Sequence, residues 1–404
     1  MKKRIKDIIG RKPLVIDGAM GTMLQKRGLK GGEAPDLYNI THPDIITEIH
    51  EEYLNAGVDI ITTNTFGTNS VKLKSDKYNV SDVAKAGVFN ARKAVDKTER
   101  DCYVAFDIGP TGKMMYPLGD LTFTEAYKSF SEVAIAAKES GADLFIIETM
   151  SDIYEAKAAI LACRENTDLP IICTVTLEAG DRTLTGSSVD IIGNILQSLG
   201  ADVCGFNCSR GPKEMSEPLR KICAAVTIPV VIQPNAGMPV VRDGETTFPL
   251  SPEEYAKSYE NLFIEGVSLF GGCCGTSPEH MKNIVKLVKD KFDYINAERI
   301  SNKKDVICSS SMSADLINSK CQPETICINA NSDVYDVQDE IFEALDEGYD
   351  IIKLQVSDDF IGEASKLEEA ICDIQSVIKQ PIIFCGSEAA VNLAKRFYNG
   401  SYID

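Results

Sequence analysis

The chain has 404 residues, of which 44% are hydrophobic, and its formal net charge at pH 7 is −18. This length exceeds what one hydrophobic core usually serves, so two domains are the first expectation. The acidic balance argues against a nucleic-acid partner, because phosphate binding needs clustered Lys and Arg. No run of eighteen apolar residues occurs, and the basic start lacks a cleavable apolar stretch. We therefore expect no membrane helix, no signal peptide and a cytoplasmic protein.

Short runs rich in Val and Ile alternate with amphipathic stretches over the first 290 residues. These runs lack strict polar–apolar alternation, which is typical of parallel strands buried on both faces. Eight strands are predicted, at Leu14–Asp17, Val58–Thr63, Cys102–Ile108, Asp143–Glu148, Pro170–Leu177, Asp202–Asn207, Pro229–Gln233 and Gly266–Phe270. Eight strand–helix repeats match a (β/α)8 TIM barrel, which typically takes about 250 residues. An open doubly wound sheet is the alternative, but no Gly-x-Gly-x-x-Gly loop follows the first strand.

Residues 1–295 are thus predicted to form an α/β barrel domain. Residues 296–324 are polar, Ser-rich and weakly periodic, which predicts a linker. The strand–helix pattern then resumes over residues 325–404, with three strands and three helices. Because so few units cannot close a barrel, we predict a small partial α/β domain that resembles a half-barrel.

Polar and sulfur-bearing side chains collect at the ends of the predicted strands. A barrel places its functional groups at the carboxyl ends of its strands, so the joint position of these residues predicts one active site there. The residues are Asp17, Thr63–Gly67, Glu148, Asn207 with Cys208, Gln233–Gly237, and Cys273 with Cys274.

The cysteines at two of these strand ends suggest a metal site. Only three histidines occur, so a metal site here would depend on sulfur. Cys273 and Cys274 lie among glycines, and Cys208, two strands earlier, can point at the same spot. Three thiolates leave the fourth tetrahedral position of zinc open, as in catalytic sites, and suit the alkylation of a thiol. The alternative is that these are three unrelated small residues in loops.

Most other cysteines lie in apolar runs. We predict that each is a small buried hydrophobic residue. These are Cys102, Cys173, Cys204, Cys223, Cys327 and Cys385.

The segments DGAMGTMLQKRGL, DIGPTG, GFNCSRGP, QPNAGMP and GGCCGTSPEH resemble the homocysteine S-methyltransferase family. The resemblance covers about residues 8–290 and is closest to the homocysteine-binding module of the cobalamin-dependent methionine synthases. It implies that zinc binds to Cys208, Cys273 and Cys274. It also implies that Asp17 and Glu148 hold the homocysteine ammonium and that Asn235 can fill zinc's open position before substrate arrives. The residues implied to lie near the amino acid are Gly18, Thr22 and Asn207.

The resemblance implies methyl transfer to the homocysteine thiol, giving methionine. A methyl-corrinoid on a separate protein is the first expected donor, and S-methylmethionine or a betaine is the second. The C-terminal region resembles a truncated pterin- or folate-binding module. Its Asp-x-Asn motif is replaced by Lys353, Leu354 and Gln355, so folate binding is not expected. Two other classes remain open: a non-catalytic zinc protein with a partner-binding C-terminal domain, and a different TIM-barrel enzyme with a chance Cys-Cys pair.

Overall fold

The computed structural model describes residues 3–73, 75–242, 245–291, 308–315, 324–349 and 351–402. Up to residue 291 its strands are β1 (Leu14–Val15), β2 (Ile60–Thr62), β3 (Tyr103–Ile108), β4 (Leu144–Met150), β5 (Ile171–Val175), β6 (Val203–Asn207), β7 (Val230–Gln233), β8 (Val240–Arg242), β9 (Glu245–Thr247) and β10 (Val267–Phe270). β8 and β9 form an antiparallel hairpin, and the other eight strands form one parallel sheet in the order β1-β10-β7-β6-β5-β4-β3-β2. A parallel bridge between Ile16 and Ile60 joins its two edges. The predicted TIM barrel is confirmed.

Ten α-helices are described in this part of the chain. They are α1 (Met20–Lys26), α2 (Tyr38–Thr41), α3 (Pro43–Ala56), α4 (Val80–Val95), α5 (Phe123–Glu139), α6 (Ile153–Asn166), α7 (Val189–Ser198), α8 (Pro212–Ala225), α9 (Pro252–Tyr259) and α10 (Pro278–Asp290). Local residues set several boundaries. Thr122 and Ser251 each begin a helix with a capping box, and Gly57 ends α3 in the left-handed conformation at φ 104°.

The hydrophobic core has two layers. Strand side chains on the outer face pack against the helices, and those on the inner face fill the barrel. Ile5 and Ile8, from the chain start, pack into this inner layer. Because one set of side chains points inward and the other meets the helices, both faces of each strand are apolar, as the uninterrupted Val- and Ile-rich runs predicted.

The C-terminal part is a second, smaller α/β arrangement. Its elements are β11 (Cys308–Ser309), β12 (Ala314–Asp315), β13 (Glu324–Ile328), α11 (Val334–Asp346), β14 (Ile352–Val356), α12 (Ala364–Val377), β15 (Ile382–Gly386), α13 (Glu388–Phe397) and β16 (Ser401–Tyr402). β13, β14 and β15 form a parallel sheet, and β11 pairs antiparallel with β12 and β16. Two short strands therefore occur where only a linker was expected. Most of the predicted linker lies outside the described residues, so the proposed domain boundaries stay predictions.

The parallel C-terminal sheet has one open face, which corrects the prediction for two cysteines. Cys327 is exposed and Cys385 is half-buried, whereas Cys102, Cys173 and Cys204 are buried as predicted, as is Cys223. Side chains alternate along β13, with Ile326 and Ile328 inside and Cys327 outside. A buried position was expected for Cys327, but no second layer from the described part of the chain covers it.

The C-terminal helices α12 and α13 pack against α5 and α6 of the barrel. The Tyr116 hydroxyl donates a hydrogen bond to Asp373 at 2.8 Å, and the Thr124 hydroxyl donates one to Glu368 at 2.6 Å. The Phe397 ring meets the Phe123 ring edge-on at 5.9 Å. Of the helices in the described ranges, none combines the length and the apolar character that crossing a membrane would require.

Candidate functional site

Three cysteine sulfurs meet at the carboxyl end of the barrel. Cys208 directly follows β6, and Cys273 and Cys274 follow β10 after two glycines. Their Sγ atoms all lie within 4.8 Å of one another, and Cys208 Sγ is 3.8 Å from Cys274 Sγ. Within the described ranges, these cysteines form the only group of three or more His, Cys, Asp or Glu residues that could hold a metal ion.

The loop after β7 joins the two cysteine loops through backbone atoms. We call residues 233–236 the backbone clamp. Its hydrogen bonds run from Cys208 N–H to Gln233 O (3.0 Å), from Cys273 N–H to Pro234 O (2.9 Å), from Asn235 N–H to Arg210 O (2.9 Å) and from Ala236 N–H to Cys274 O (2.9 Å). The Tyr255 hydroxyl, from α9, also donates to Pro234 O at 2.9 Å. The clamp therefore fixes the distance between the loops that carry the sulfurs.

Left-handed backbone conformations are concentrated at this end of the barrel. Among the described residues other than glycine, positive φ occurs at Thr149 (61°), Asp181 (57°), Cys208 (60°) and Ser209 (59°). Each such conformation costs on the order of 1–3 kcal/mol and persists only where surrounding contacts enforce it. All four lie at or after the carboxyl ends of β4, β5 and β6, so the strain is stored beside the sulfur cluster.

A cavity of about 360 Å³ opens beside the sulfurs. The three cysteines line it together with Asp36 and three further acidic residues, Asp17, Asp107 and Glu148, all of them buried or partly buried. The backbone N–H and the hydroxyl of Thr62 each donate to Asp17 at 2.9 Å. Thiols and acids therefore face one enclosed space.

The environment of these acids favours a cationic ligand. Burial raises the pKa of Asp17 to about 7, although the hydrogen bonds from Thr62 oppose the shift. Burial, and then the charges of Cys208 and Asp17, raise the pKa of Glu148 to about 8. Burial and the nearby Glu148 raise the pKa of Asp107 far above its usual range. A positively charged group in the cavity would stabilise the ionised form of all three acids.

The donor set fits a soft dication such as zinc. Hydrogen bonds from Cys273 and Cys274 lower the pKa of Cys208 well below its usual value, and the same contacts with Cys208 raise the pKa of Cys273. The sulfurs thus share protons that a metal ion could replace. Two buried amide oxygens at this end, Gln233 Oε1 and Asn235 Oδ1, have no hydrogen-bond partner among the described residues. Three sulfurs leave one tetrahedral position for another ligand.

Most predicted site residues line the cavity: Asp17, Gly18, Thr22, Glu148, Cys208, Cys273 and Cys274. The Thr22 hydroxyl accepts a hydrogen bond from the Gly275 N–H at 3.2 Å, which links α1 to the cysteine loop. A Cβ at Gly18 would lie 2.5 Å from the Thr276 hydroxyl, so the backbone can pass there only without a side chain.

Two predicted residues lie behind the cavity wall instead. Asn207 is fully buried, and its amide group contacts Thr149, Thr174 and the sulfur of Cys273. These contacts let it support the site, and its expected place beside the amino acid stays a prediction. Asn235 is 3% exposed, and its side chain hydrogen-bonds the sulfur of Cys208.

Some cavity residues were not among those predicted. Asp107 lies one residue before the end of β3, within DIGPTG, so the rule of strand ends could have identified it. Gln233, which that rule did identify, also lines the cavity. Asp36 and Lys72 reach the cavity from loops that carry no comparable signal.

Comparisons with known proteins agree with this geometry. The family model described as homocysteine S-methyltransferase matches residues 14–288. The methionine synthases of Mycobacterium tuberculosis and Mycobacterium leprae are each 35% identical over 303 residues, which cover 70% of this chain and 25% of theirs. The chain therefore corresponds to about a quarter of the length of these curated relatives.

Solved structures support the fold. The homocysteine methyltransferase MmuM from Escherichia coli, in its oxidized form, matches with a TM-score of 0.58 at 20% identity, over 70% of this chain and 97% of that one. Its metallated form matches with a TM-score of 0.56 at 19% identity, over 68% and 96% of the two chains. The family model covers most of the chain and agrees with the methyltransferase class expected from the sequence; this chain belongs to the homocysteine S-methyltransferase family.

Proposed function

We propose that this chain catalyses zinc-dependent methyl transfer to the thiol of homocysteine, giving methionine. The observation that carries the proposal is that three converging sulfurs and four acidic side chains line the same cavity of about 360 Å³. Homocysteine has a thiol at one end and an ammonium group at the other, so it matches both sets of groups. Family membership supports the same reaction, as does similarity to methionine synthases and to a homocysteine methyltransferase.

Cys208, Cys273 and Cys274 would hold the metal. A bound zinc ion would lower the pKa of an incoming thiol, and its soft sulfur ligands would keep that fourth sulfur nucleophilic. The backbone clamp holds the two cysteine loops in register, so little reorganisation is needed when the site is loaded. Asn235 would act from behind the cavity wall, through its hydrogen bond to Cys208.

Asp17 and Glu148 would bind the homocysteine ammonium, with Asp107 close by. These carboxyl groups are buried or half-buried, and burial is the main cause of their raised pKa values. An ammonium group supplies a positive charge and favours loss of their protons. Binding at this end fixes the orientation of a flexible substrate, and positioning of this kind makes a large contribution to rate.

We further propose a methyl-corrinoid on a separate protein as the donor. The 35% identity to methionine synthases over 303 residues supports this choice over S-methylmethionine or a betaine. In the transfer, the electron pair of the substrate thiolate forms the new S–C bond. The cobalt–carbon bond breaks, and its electron pair stays on cobalt.

The test begins with metal content and product formation in reduced protein. Cys208→Ser, Cys273→Ser and Cys274→Ser should each lose zinc, while Cys327→Ser, at an exposed thiol in the C-terminal sheet, should keep it. Methionine formation is then measured with homocysteine and methylcobalamin, S-methylmethionine or betaine. Reduced wild-type protein that takes up no zinc would contradict the proposal.

The assays with three methyl donors distinguish between the possible donors and test the non-catalytic alternative. Reaction with methylcobalamin alone supports the corrinoid donor, and reaction with either of the other two corrects it. Zinc and homocysteine binding without turnover, even with co-purified corrinoid proteins, would favour the non-catalytic alternative. Homocysteine binding is measured as a rise in melting temperature, with homoserine as the control that lacks the sulfur.

A further inference from the structure

Arg210 directly follows Cys208 and Ser209, two residues with left-handed backbone, and it holds the loop that carries Cys208. Cys208 and Ser209 both have positive φ, and the Arg210 N–H donates to Cys208 O at 2.7 Å, which closes the turn. Arg210 O accepts from the Asn235 N–H of the backbone clamp at 2.9 Å. The backbone of Arg210 is therefore bonded both to the Cys208 turn and to the clamp.

The side chain of Arg210 is fixed by a neighbouring loop. Its Nη1 donates to Asp181 Oδ1 at 2.7 Å, and its Nη2 donates to Glu178 O. The side chains of Arg210 and Asp181 are only 18% and 23% exposed. A guanidinium held at two points by a carboxylate and a carbonyl has a defined direction, which a solvated surface pair lacks.

Asp181 itself occupies an unfavourable conformation. It has φ 57°, and its second oxygen lies 3.4 Å from Lys221 Nζ of α8. Glycine and asparagine adopt this backbone more readily than aspartate, and Gly180, the preceding residue, already has φ 79°. A carboxylate in this position is therefore explained by its charge partners, Arg210 and Lys221.

We propose that Asp181 is a positioning residue for the metal centre. Acting through Arg210, it holds Cys208 in the left-handed conformation that brings its sulfur to those of Cys273 and Cys274. Neither Asp181 nor Arg210 is among the residues that line the substrate cavity, so the effect is on the sulfur ligand and not on bound homocysteine. This inference rests on the proposed function, since it presupposes that the three cysteines hold a metal.

Two substitutions isolate the ion pair. Asp181→Asn removes the charge and keeps a side chain that tolerates the left-handed backbone. Arg210→Met removes the guanidinium and keeps the aliphatic stem. The zinc dissociation constant of each reduced protein is measured by competition with a chromogenic chelator. We expect each variant to bind zinc about 10- to 100-fold more weakly, as is typical when a group that orients a metal ligand is lost.

Two further measurements separate positioning from simple stabilisation. The double variant Asp181→Asn/Arg210→Met should match Arg210→Met alone, because Asp181 acts through Arg210. With cobalt(II) in place of zinc, the thiolate-to-metal absorption of the variants should shift or weaken, since one sulfur is displaced. A purely structural ion pair would lower the melting temperature of the metal-free protein and leave both metal readouts unchanged, which would overturn the proposal.

Arg92→Met is the matched control. Arg92 pairs with Asp143 at 2.8 Å, with side chains 24% and 25% exposed, beside the amino end of β4. Its loss should leave zinc affinity unchanged, and an equal loss of affinity there would overturn the specific role of Asp181. If wild-type protein binds no zinc, the proposed function itself fails. If wild type binds zinc and both variants bind it equally well, only the present inference fails.

Discussion

Asn207 is hydrogen-bonded twice to Thr149: its Oδ1 accepts from the Thr149 N–H at 2.8 Å, and its Nδ2 donates to the Thr149 hydroxyl at 2.7 Å. Thr149 directly follows Glu148, and Asn207 directly precedes Cys208. One buried amide therefore ties the strand end that carries Cys208, a proposed metal ligand, to the strand end that carries Glu148, a proposed binder of the substrate ammonium.

Replacing Asn207 should destabilise the protein. In Asn207→Ala the Thr149 N–H loses its acceptor inside the protein, and an unsatisfied buried donor costs about 1–3 kcal/mol. We expect a lower free energy of unfolding in urea. Asn207→Asp, which keeps an acceptor for that N–H, should lose less. A large rise in KM for homocysteine with unchanged stability would instead show that Asn207 touches the substrate.

The raised pKa of Asp17 predicts how stability changes with pH. The pKa is about 7 in the folded protein, and that of an unperturbed Asp is about 3.9. Between these values the folded protein holds a proton that the unfolded chain has lost, so the free energy of unfolding falls as pH rises towards 7. Asp17→Asn should flatten this slope in urea unfolding of ligand-free protein between pH 5 and 8.

Thr62→Val provides the matched comparison for Asp17. It removes a hydroxyl that donates to Asp17 at 2.9 Å and that lowers the pKa of the acid. The pKa of Asp17 should then rise further, and the pH window of the slope should move upwards. A slope that is the same in wild type, Thr62→Val and Asp17→Asn would contradict the assignment.

Replacing each of the two buried histidines, His50 and His280, by leucine should change the free energy of unfolding in opposite directions. His50 is fully buried, burial lowers its pKa to about 3, and neither ring nitrogen has a hydrogen-bond partner in the described structure. The ring of His280 accepts from the Ser277 N–H at 3.2 Å and donates to Leu250 O at 3.1 Å. Removing an unpaired polar group stabilises, whereas removing a paired one leaves its partners unsatisfied.

We therefore expect His50→Leu to raise the free energy of unfolding by about 1 kcal/mol and His280→Leu to lower it by at least as much. Urea unfolding of both variants at pH 7.5 provides the measurement. A loss of stability in His50→Leu would show that the imidazole has a partner, such as an ordered water.

Lys157 should anchor the C-terminal part to the barrel. It is 3% exposed, and its Nζ donates to the carbonyl oxygens of Lys395 and Tyr398 at the end of α13. Lys157→Met keeps the apolar stem and removes these donors. Amide hydrogen exchange should then become faster in the last turn of α13, while α4, which is remote from this contact, serves as the internal control. Equal exchange in both proteins would contradict the anchoring role.

The barrel was predictable because it depends on patterns that one strand or helix carries by itself. Apolar runs mark strands buried on both faces, and strand ends located Asp17, Glu148 and the three cysteines. The support behind the site depends on contacts between loops, so spacing does not reveal it. Asn207 was predicted as a site residue from its place next to Cys208, but spacing alone did not reveal that its amide bonds Thr149, whose backbone is left-handed.

The exposure of Cys327 was mispredicted for a related reason. The sequence Ile-Cys-Ile predicts a buried strand. Whether the middle residue is buried depends on how many layers cover the sheet, and the strand's own sequence does not determine that number. Here one layer of helices covers Ile326 and Ile328 and leaves Cys327 outside.

The backbone clamp has a consequence for how this centre can change over evolutionary time. Residues 233–236 act through carbonyl oxygens and N–H groups, which nearly every amino acid supplies. Replacing a side chain in this segment keeps those backbone groups, whereas adding or deleting a single residue shifts the register of the four backbone hydrogen bonds. Loop length is therefore constrained here in addition to the side chains of Gln233 and Asn235, and gaps in this segment should be rare among active relatives.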